Sequence, residues 1–298
     1  MKNFFTRAIL IMHLGTILAQ TAQEKLLTHN QSEDRYASFS SAGDQIVFES
    51  DRDGDWNIYL MDSDGKNQQS LTTHTSEDRR PSWHPSDKKI VFESNREGKF
   101  ALYEYTIKTK RTKRIPILGL SGEPMFARYS PNGRFLAFSD RKSDQESNIA
   151  ICKHNGRGLK HLTNHSFRTF YPNWSPDGDT LVFFSRHETN NKDDEIYKIG
   201  VDGFGMKRLT KWPKHNFCPV WSSDGTKIAY VTSIEGTRPE IYVMAANGSH
   251  QTRITFNEDG DTLPNWSPNG SSILISGYRN GNYEICELNI SNLRMEVE

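Results

Sequence analysis

Carboxylates return along this chain at a nearly fixed step. Glu33-Asp34 is followed 44 residues later by Glu77-Asp78, Glu123 comes 45 after Asp78, and Asp259 and Asp261 close the series. At the two intervening steps the chain has Arg168 and His215 instead. A hard cation needs several oxygen ligands. If folding brings the acids to one opening, Asp34, Asp78 and Asp261 could therefore hold calcium, with Glu33, Glu77 and Glu123 around them and Arg168 and His215 opposite. Ion pairing is the other chemistry open to them, because Arg35, Arg79 and Arg80 stand beside the acids. His29, His74, His165, His187 and His215 form a second set. Imidazoles suit transition metals, and His74, His165 and His187 are the candidates. However, His74 and His165 both lie two residues after the threonine of a Leu-Thr pair, as loop residues of a repeat would. The chain has no Gly-x-Ser-x-Gly, no phosphate loop, no Cys-x-x-Cys and no His-Glu-x-x-His, and no catalytic residue is assigned.

The elements that would position these residues also repeat. Phe39, Trp83, Tyr129, Trp174, Trp221 and Trp266 are spaced by 44, 46, 45, 47 and 45 residues. Each precedes a tight turn, written Ser-Pro-Asp-Gly at 175–178 and Ser-Pro-Asn-Gly at 130–133 and 267–270. Two residues before the aromatic stands Pro81, Pro172, Pro219 or Pro264, with Ala37 and Ala127 in the other units. A β-rich run follows each turn, such as Ile46-Val47-Phe48 or Leu181-Val182-Phe183. A polar loop leads to a second run, such as Ile58-Tyr59 or Ile196-Tyr197, and then to a further turn, often Asp-Gly or Asn-Gly, and a Leu-Thr. Asn, Asp and Gly tolerate the positive φ that hairpins require. Each unit thus reads as four strands, a to d. Four strands cannot bury both faces alone, but six such units arranged radially can, which makes an all-β, six-bladed β-propeller of antiparallel blades.

The fullest copy, Leu162-Thr163 with Pro172-Asn173-Trp174-Ser175-Pro176-Asp177-Gly178, resembles the WD40-like PD40 repeat of TolB-type propellers. The resemblance covers about residues 26–290 and recurs six times in register. It implies a propeller of the bacterial envelope. The repeat is also similar to that of oligogalacturonate lyases, a family whose metal-binding histidine cluster would correspond to the histidines named above. Blades are expected to start near 34, 78, 124, 169, 216 and 261, within a domain spanning 23–298. Leu26-Leu27-Thr28 looks like the end of a unit yet stands before the first, so residues 25–28 are expected to supply strand d of the last blade. Leu293-Arg294-Met295-Glu296 is the alternative. In such a fold the d–a and b–c loops share one face, called the top here, and variable loops on a rigid frame are where binding concentrates. The longest b–c loop, 186–195, is the strongest candidate for a specific contact.

Lys2 and Arg7 precede an apolar run, and Ala19 and Ala22 offer cleavage points, so residues 1–22 read as a secretory signal. The processed chain is then periplasmic or secreted and not membrane-spanning. Among 298 residues, 37 Lys and Arg balance 37 Asp and Glu. That balance gives no support to a nucleic-acid partner, which would want a basic face. Cys152, Cys218 and Cys286 match no metal spacing and read as small buried apolar residues. Two functions fit. One is a non-catalytic, monomeric scaffold that binds an envelope or peptidoglycan-associated protein through its top loops. The other is a metal-dependent carbohydrate-active enzyme using the top-face histidines.

Overall fold

The computed structural model describes residues 22–189, 192–211, 215–233 and 238–292. They form six four-stranded antiparallel sheets and no helix. Blade one is β2 (Asp34–Phe39), β3 (Gln45–Ser50), β4 (Asn57–Asp62) and β5 (Gln69–Ser70). Blade two is β6 (Asp78–Trp83), β7 (Lys89–Ser94), β8 (Ala101–Thr106) and β9 (Arg111–Arg114). Blade three is β10 (Glu123–Tyr129), β11 (Phe135–Arg141), β12 (Ser147–Lys153) and β13 (Lys160–His161). Blade four is β14 (Thr169–Trp174), β15 (Thr180–Ser185), β16 (Glu195–Gly200) and β17 (Lys207–Arg208). Blade five is β18 (Asn216–Trp221), β19 (Lys227–Thr232), β20 (Glu240–Ala245) and β21 (Thr252–Arg253). Blade six is β22 (Asp261–Trp266), β23 (Ser272–Arg279) and β24 (Asn282–Asn289), with β1 (Gln23–Leu26) as its fourth strand.

That last strand closes the ring. β1 runs antiparallel to β24 with Gln23 opposite Asn289 and Leu26 opposite Cys286. The strand ends at Leu26; Leu27 and Thr28 extend the contact by donating N–H groups to Ile285 O at 2.8 and 3.4 Å. Leu293–Glu296 and residues 1–21, which carry most of the expected signal, lie outside the described residues.

The repeat's composition follows from packing. The second strand of each blade places Phe48, Phe92, Phe138, Phe183, Tyr230 or Ile275 at the same register, each at most 1% exposed. Truncating one such phenylalanine to alanine costs about 3–5 kcal/mol. At the turns, the serine hydroxyl accepts the N–H five residues on, as Ser175 Oγ does from Thr180 at 3.0 Å. A side chain added at Gly178 (φ 79°) would strain the backbone and meet Pro131 of the preceding blade's turn at 3.6 Å. The Leu-Thr threonine also has a fixed task. Its Oγ1 accepts the N–H of the isoleucine in the third strand, at 3.0 Å for Thr72 to Ile58 and 2.9 Å for Thr163, Thr210, Thr255 and Thr28. It donates to the residue before that isoleucine: Asn57, Asn148, Glu195, Glu240 or Glu284. Blade two lacks both partners together, with Ala101 and Pro116 at the two positions.

Candidate functional site

The six innermost strands, β2, β6, β10, β14, β18 and β22, pack side by side around the axis, and β22 meets β2. Each contains a β-bulge at its third or fourth residue. The bulged residues are Tyr36, Arg80, Phe126, Tyr171, Cys218 and Leu263, all with φ between 51° and 63°. Non-glycine residues pay about 1–2 kcal/mol for that conformation. The proline that follows in four blades is suited to a bulge, where no ladder donor is required.

These side chains meet near the axis, above a cavity of about 250 Å³ lined by Ser38, Ser82, Arg128, Asn173 and Asn265 of the same strands. Tyr36 and Phe126 have ring centroids 6.2 Å apart, and Phe126 and Tyr171 5.4 Å apart. The Arg80 guanidinium lies 5.6 Å from the Tyr36 ring and 4.8 Å from the Phe126 ring. Cys218 and Leu263 belong to the same apolar cluster. Burial pushes the Tyr36 hydroxyl up to about 12 and raises the Cys218 thiol. At three of the bulges the N–H group is met from the neighbouring blade. Glu49 of β3 accepts the Arg80 N–H at 2.6 Å, Glu93 of β7 accepts the Phe126 N–H at 2.5 Å, and Ser139 of β11 accepts the Tyr171 N–H at 3.2 Å. Glu93 also receives Arg80 Nη1 at 2.6 Å. Desolvation raises the Glu93 carboxyl although Arg80 opposes it.

The acids expected at the channel mouth stand at the top of the innermost strands. Asp34, Asp78 and Asp261 are fully buried, and each is held by an arginine 18 residues on in the same blade. The pairs are Arg52 at 2.8 Å, Arg96 at 2.8 Å and Arg279 at 2.9 Å. Arg35 and Arg79 take the glutamates instead: Arg35 bonds Glu33 at 2.9 Å, and Arg79 reaches Glu77 at 3.4 Å and Glu49 at 2.9 Å. Glu123 lies 3.8 Å from Arg141 Nη1, and Asp259 is exposed. Asp194 gathers Arg186 at 3.0 Å, His215 Nδ1 at 3.3 Å and Arg168 Nε at 4.0 Å. Among the described residues no three His, Cys, Asp or Glu side chains come together in a way that could hold a metal ion. The three aspartates expected as calcium ligands thus face guanidinium groups.

The histidines divide. His29 and His74 are exposed, and His74 Nδ1 accepts the Ser76 N–H at 3.1 Å. His165 and His187 do meet: their rings stack with centroids 5.0 Å apart and planes inclined by 10°. Both ring nitrogens of His165 and Nδ1 of His187 are buried without a hydrogen-bond partner among the described residues. Desolvation, then the neighbouring His187, holds His165 below its usual range. His187 Nε2 is 3.8 Å from the exposed Glu188. The 186–195 loop is tied down by the Arg186–Asp194 pair, and residues 190–191 lie outside the described residues.

A surface patch absent from the expectations sits on the top of blades six, one and two. Trp56, in the β3–β4 loop, is flanked by Arg79 at 3.8 Å and Arg35 at 6.0 Å from its ring. Arg35 in turn lies 4.2 Å from the Tyr283 ring, and Tyr283 meets Tyr278 edge-on at 5.3 Å. All five side chains are half-buried. The sequence signal was an unpaired tryptophan in a polar b–c loop, outside the repeat's tryptophan position.

Comparison with known proteins agrees with this architecture. The family described as PD40, TolB beta propeller domain, matches residues 16–193 and 125–297. The chain belongs to the PD40 TolB beta-propeller family. A curated relative, the uncharacterized peptidase YuxL of Bacillus subtilis, is 29% identical over 153 residues, which are 50% of this chain and 16% of that protein. Among solved structures, TolB from Acinetobacter baumannii superposes with a TM-score of 0.63 at 23% identity, over 87% of this chain and 63% of that one. Oligogalacturonate lyase from Vibrio parahaemolyticus gives a TM-score of 0.63 at 13% identity, over 91% and 94%. At these identities the likeness is one of fold.

Proposed function

We propose that this protein is an exported, non-catalytic propeller that binds a protein partner of the bacterial envelope through its top face. The Arg35–Trp56–Arg79–Tyr283 patch carries the reading. Tryptophan, tyrosine and arginine are the residues that dominate protein–protein binding energy, and here they are concentrated on the face where the loops vary. At the level of the bulges the axis is packed with side chains, so the top offers a surface to dock on. Export rests on the charged, then apolar, then small-residue order of residues 1–22, and a peptidoglycan-associated partner is the class that the resemblance to TolB implies. No helix among the described residues is long and apolar enough to cross a membrane.

Capture from envelope extracts tests the proposal. Trp56→Ala should lose the partner, whereas Phe204→Ala, which alters a 77% exposed side chain in the β16–β17 turn of the opposite face, should retain it. Equal capture by both variants would sink it.

One observation favours a second reading, a metal-dependent enzyme acting on acidic sugars. It is the stacked His165–His187 pair with its unpartnered nitrogens. Stoichiometric metal in the purified protein that is lost in His165→Gln would support that reading; its absence from the wild type would remove it.

A further inference from the structure

A cavity of about 260 Å³ opens between blades three and four, lined by Met125, Phe126, Phe170 and Phe184 together with Arg141, Arg168 and Asp144. Its place is fixed by the strands. Met125 and Phe126 lie at the bulge of β10, Phe170 is the second residue of β14, and Phe184 is near the upper end of β15. The cavity therefore borders the axis on the top face. Pockets for drug-sized ligands span about 300–1,000 Å³, and this one falls just below that range, large enough for one large residue rather than a whole ligand. The walls are apolar, with Met125, Phe170 and Phe184 between 5% and 7% exposed.

Its rim is cationic and incompletely paired. The Arg168 guanidinium lies 5.5 Å from the Phe170 ring and 5.6 Å from the Phe184 ring. Arg168 Nε is buried without a hydrogen bond among the described residues. Asp194 lies 4.0 Å from Arg168 Nε and is already bound to Arg186 at 3.0 Å. Arg141 contacts Asp144 at 3.1 Å, but that aspartate is 86% exposed, and Glu123 is at 3.8 Å. Exposed pairs of this kind are worth about 0–1 kcal/mol, so a better-placed carboxylate can displace Asp144. Guanidinium groups bind carboxylates in a planar, two-bond geometry. An apolar hole one side chain deep beside two such groups matches a residue that carries both an apolar side chain and a carboxylate.

We infer that this cavity binds the carboxy-terminal residue of the partner chain, its apolar side chain among Met125, Phe170 and Phe184 and its α-carboxylate on Arg168 and Arg141. The inference rests on the docking function proposed above and names the part of the partner that is read. Titration calorimetry of the purified protein with acetyl-Gly-Gly-Phe, as free acid and as carboxamide, tests it. The free acid should bind about tenfold or more tighter than the amide, as a charge-assisted hydrogen bond implies. Arg168→Gln should abolish the difference, and Asp144→Asn should tighten the acid by removing a competing carboxylate. Should Arg168→Gln fail to fold, the acid–amide comparison in the wild type and the Asp144→Asn result decide alone. Equal binding of acid and amide, or no binding of the acid at millimolar concentration, overturns the inference. So does benzoate binding as tightly as the peptide, since the cavity would then accept any aromatic acid. If Trp56-dependent capture persists in any of these cases, docking stands and only the terminal-residue reading fails.

Discussion

Replacing Glu93 by alanine should unfold this protein at a markedly lower temperature, and replacing Arg80 at the same time should restore much of the loss. Glu93 is fully buried and holds two groups: Arg80 Nη1 at 2.6 Å and the Phe126 N–H at 2.5 Å. Its removal leaves a guanidinium near the axis, between the Tyr36 and Phe126 rings, without that partner. Breaking a buried pair by removing one side costs about 3–5 kcal/mol. Glu49 tempers that cost through its field on Arg80, but it is already engaged by Arg79 at 2.9 Å and the Arg80 N–H at 2.6 Å. The orphaned Phe126 N–H adds about 1–3 kcal/mol. A domain of this size loses about 2–4 °C per kcal/mol, so the midpoint should fall on the order of 10 °C or more. The double variant Arg80→Met with Glu93→Ala removes the stranded charge and keeps only the amide penalty. Thermal melts followed by circular dichroism decide the matter. A single variant within about 2 °C of wild type, on the scale above, would refute the reasoning. A double variant no more stable than the single one would do the same.

Three further outcomes follow from the same geometry. Thr28→Val removes the hydroxyl that bonds Glu284 and the Ile285 N–H. It should cost about 1–3 kcal/mol in the thermal melt, and an unchanged melt would mean that this contact does not hold the ring closed. His165, held below its usual value of 6.5 by burial, favours the folded state above that pH and loses its contribution as pH falls through its lowered value. His165→Gln should therefore narrow the stability difference between pH 7 and pH 5, measured by urea titration at both; an unchanged difference would count against the buried, neutral imidazole. Phe48→Ala should destabilise by about 3–5 kcal/mol, read from the same titration, whereas a change below about 1 kcal/mol would place that side chain outside the core.

The blades were legible because their signals are local and periodic. Ser175-Pro176-Asp177-Gly178 specifies its own hairpin, and Phe183 follows it at a register shared by every second strand. The acids were legible as a group, with ion pairing to arginine among the roles read for them, but the arginines that hold the aspartates were not, because a carboxylate's partner depends on where a loop returns. Even so, a clue was present: Arg52, Arg96 and Arg279 each follow their aspartate by 18 residues. The glutamates that cross between blades carried less signal. Glu49 and Glu93 stand in the sequence as charged residues inside otherwise apolar strands, and only the ring brings them to Arg80 and Phe126. The His165–His187 stack and the cavity beneath Arg168 likewise join residues from different loops and strands, whose meeting depends on the bulges and loop paths.

The most direct test of the docking face is hydrogen exchange on the protein with and without its captured partner. Binding through the top face predicts slowed exchange in residues 51–57, 77–80 and 278–283, which surround Trp56 and Tyr283. Protection confined to the opposite turns, at 62–66, 201–206 and 245–249, would contradict it.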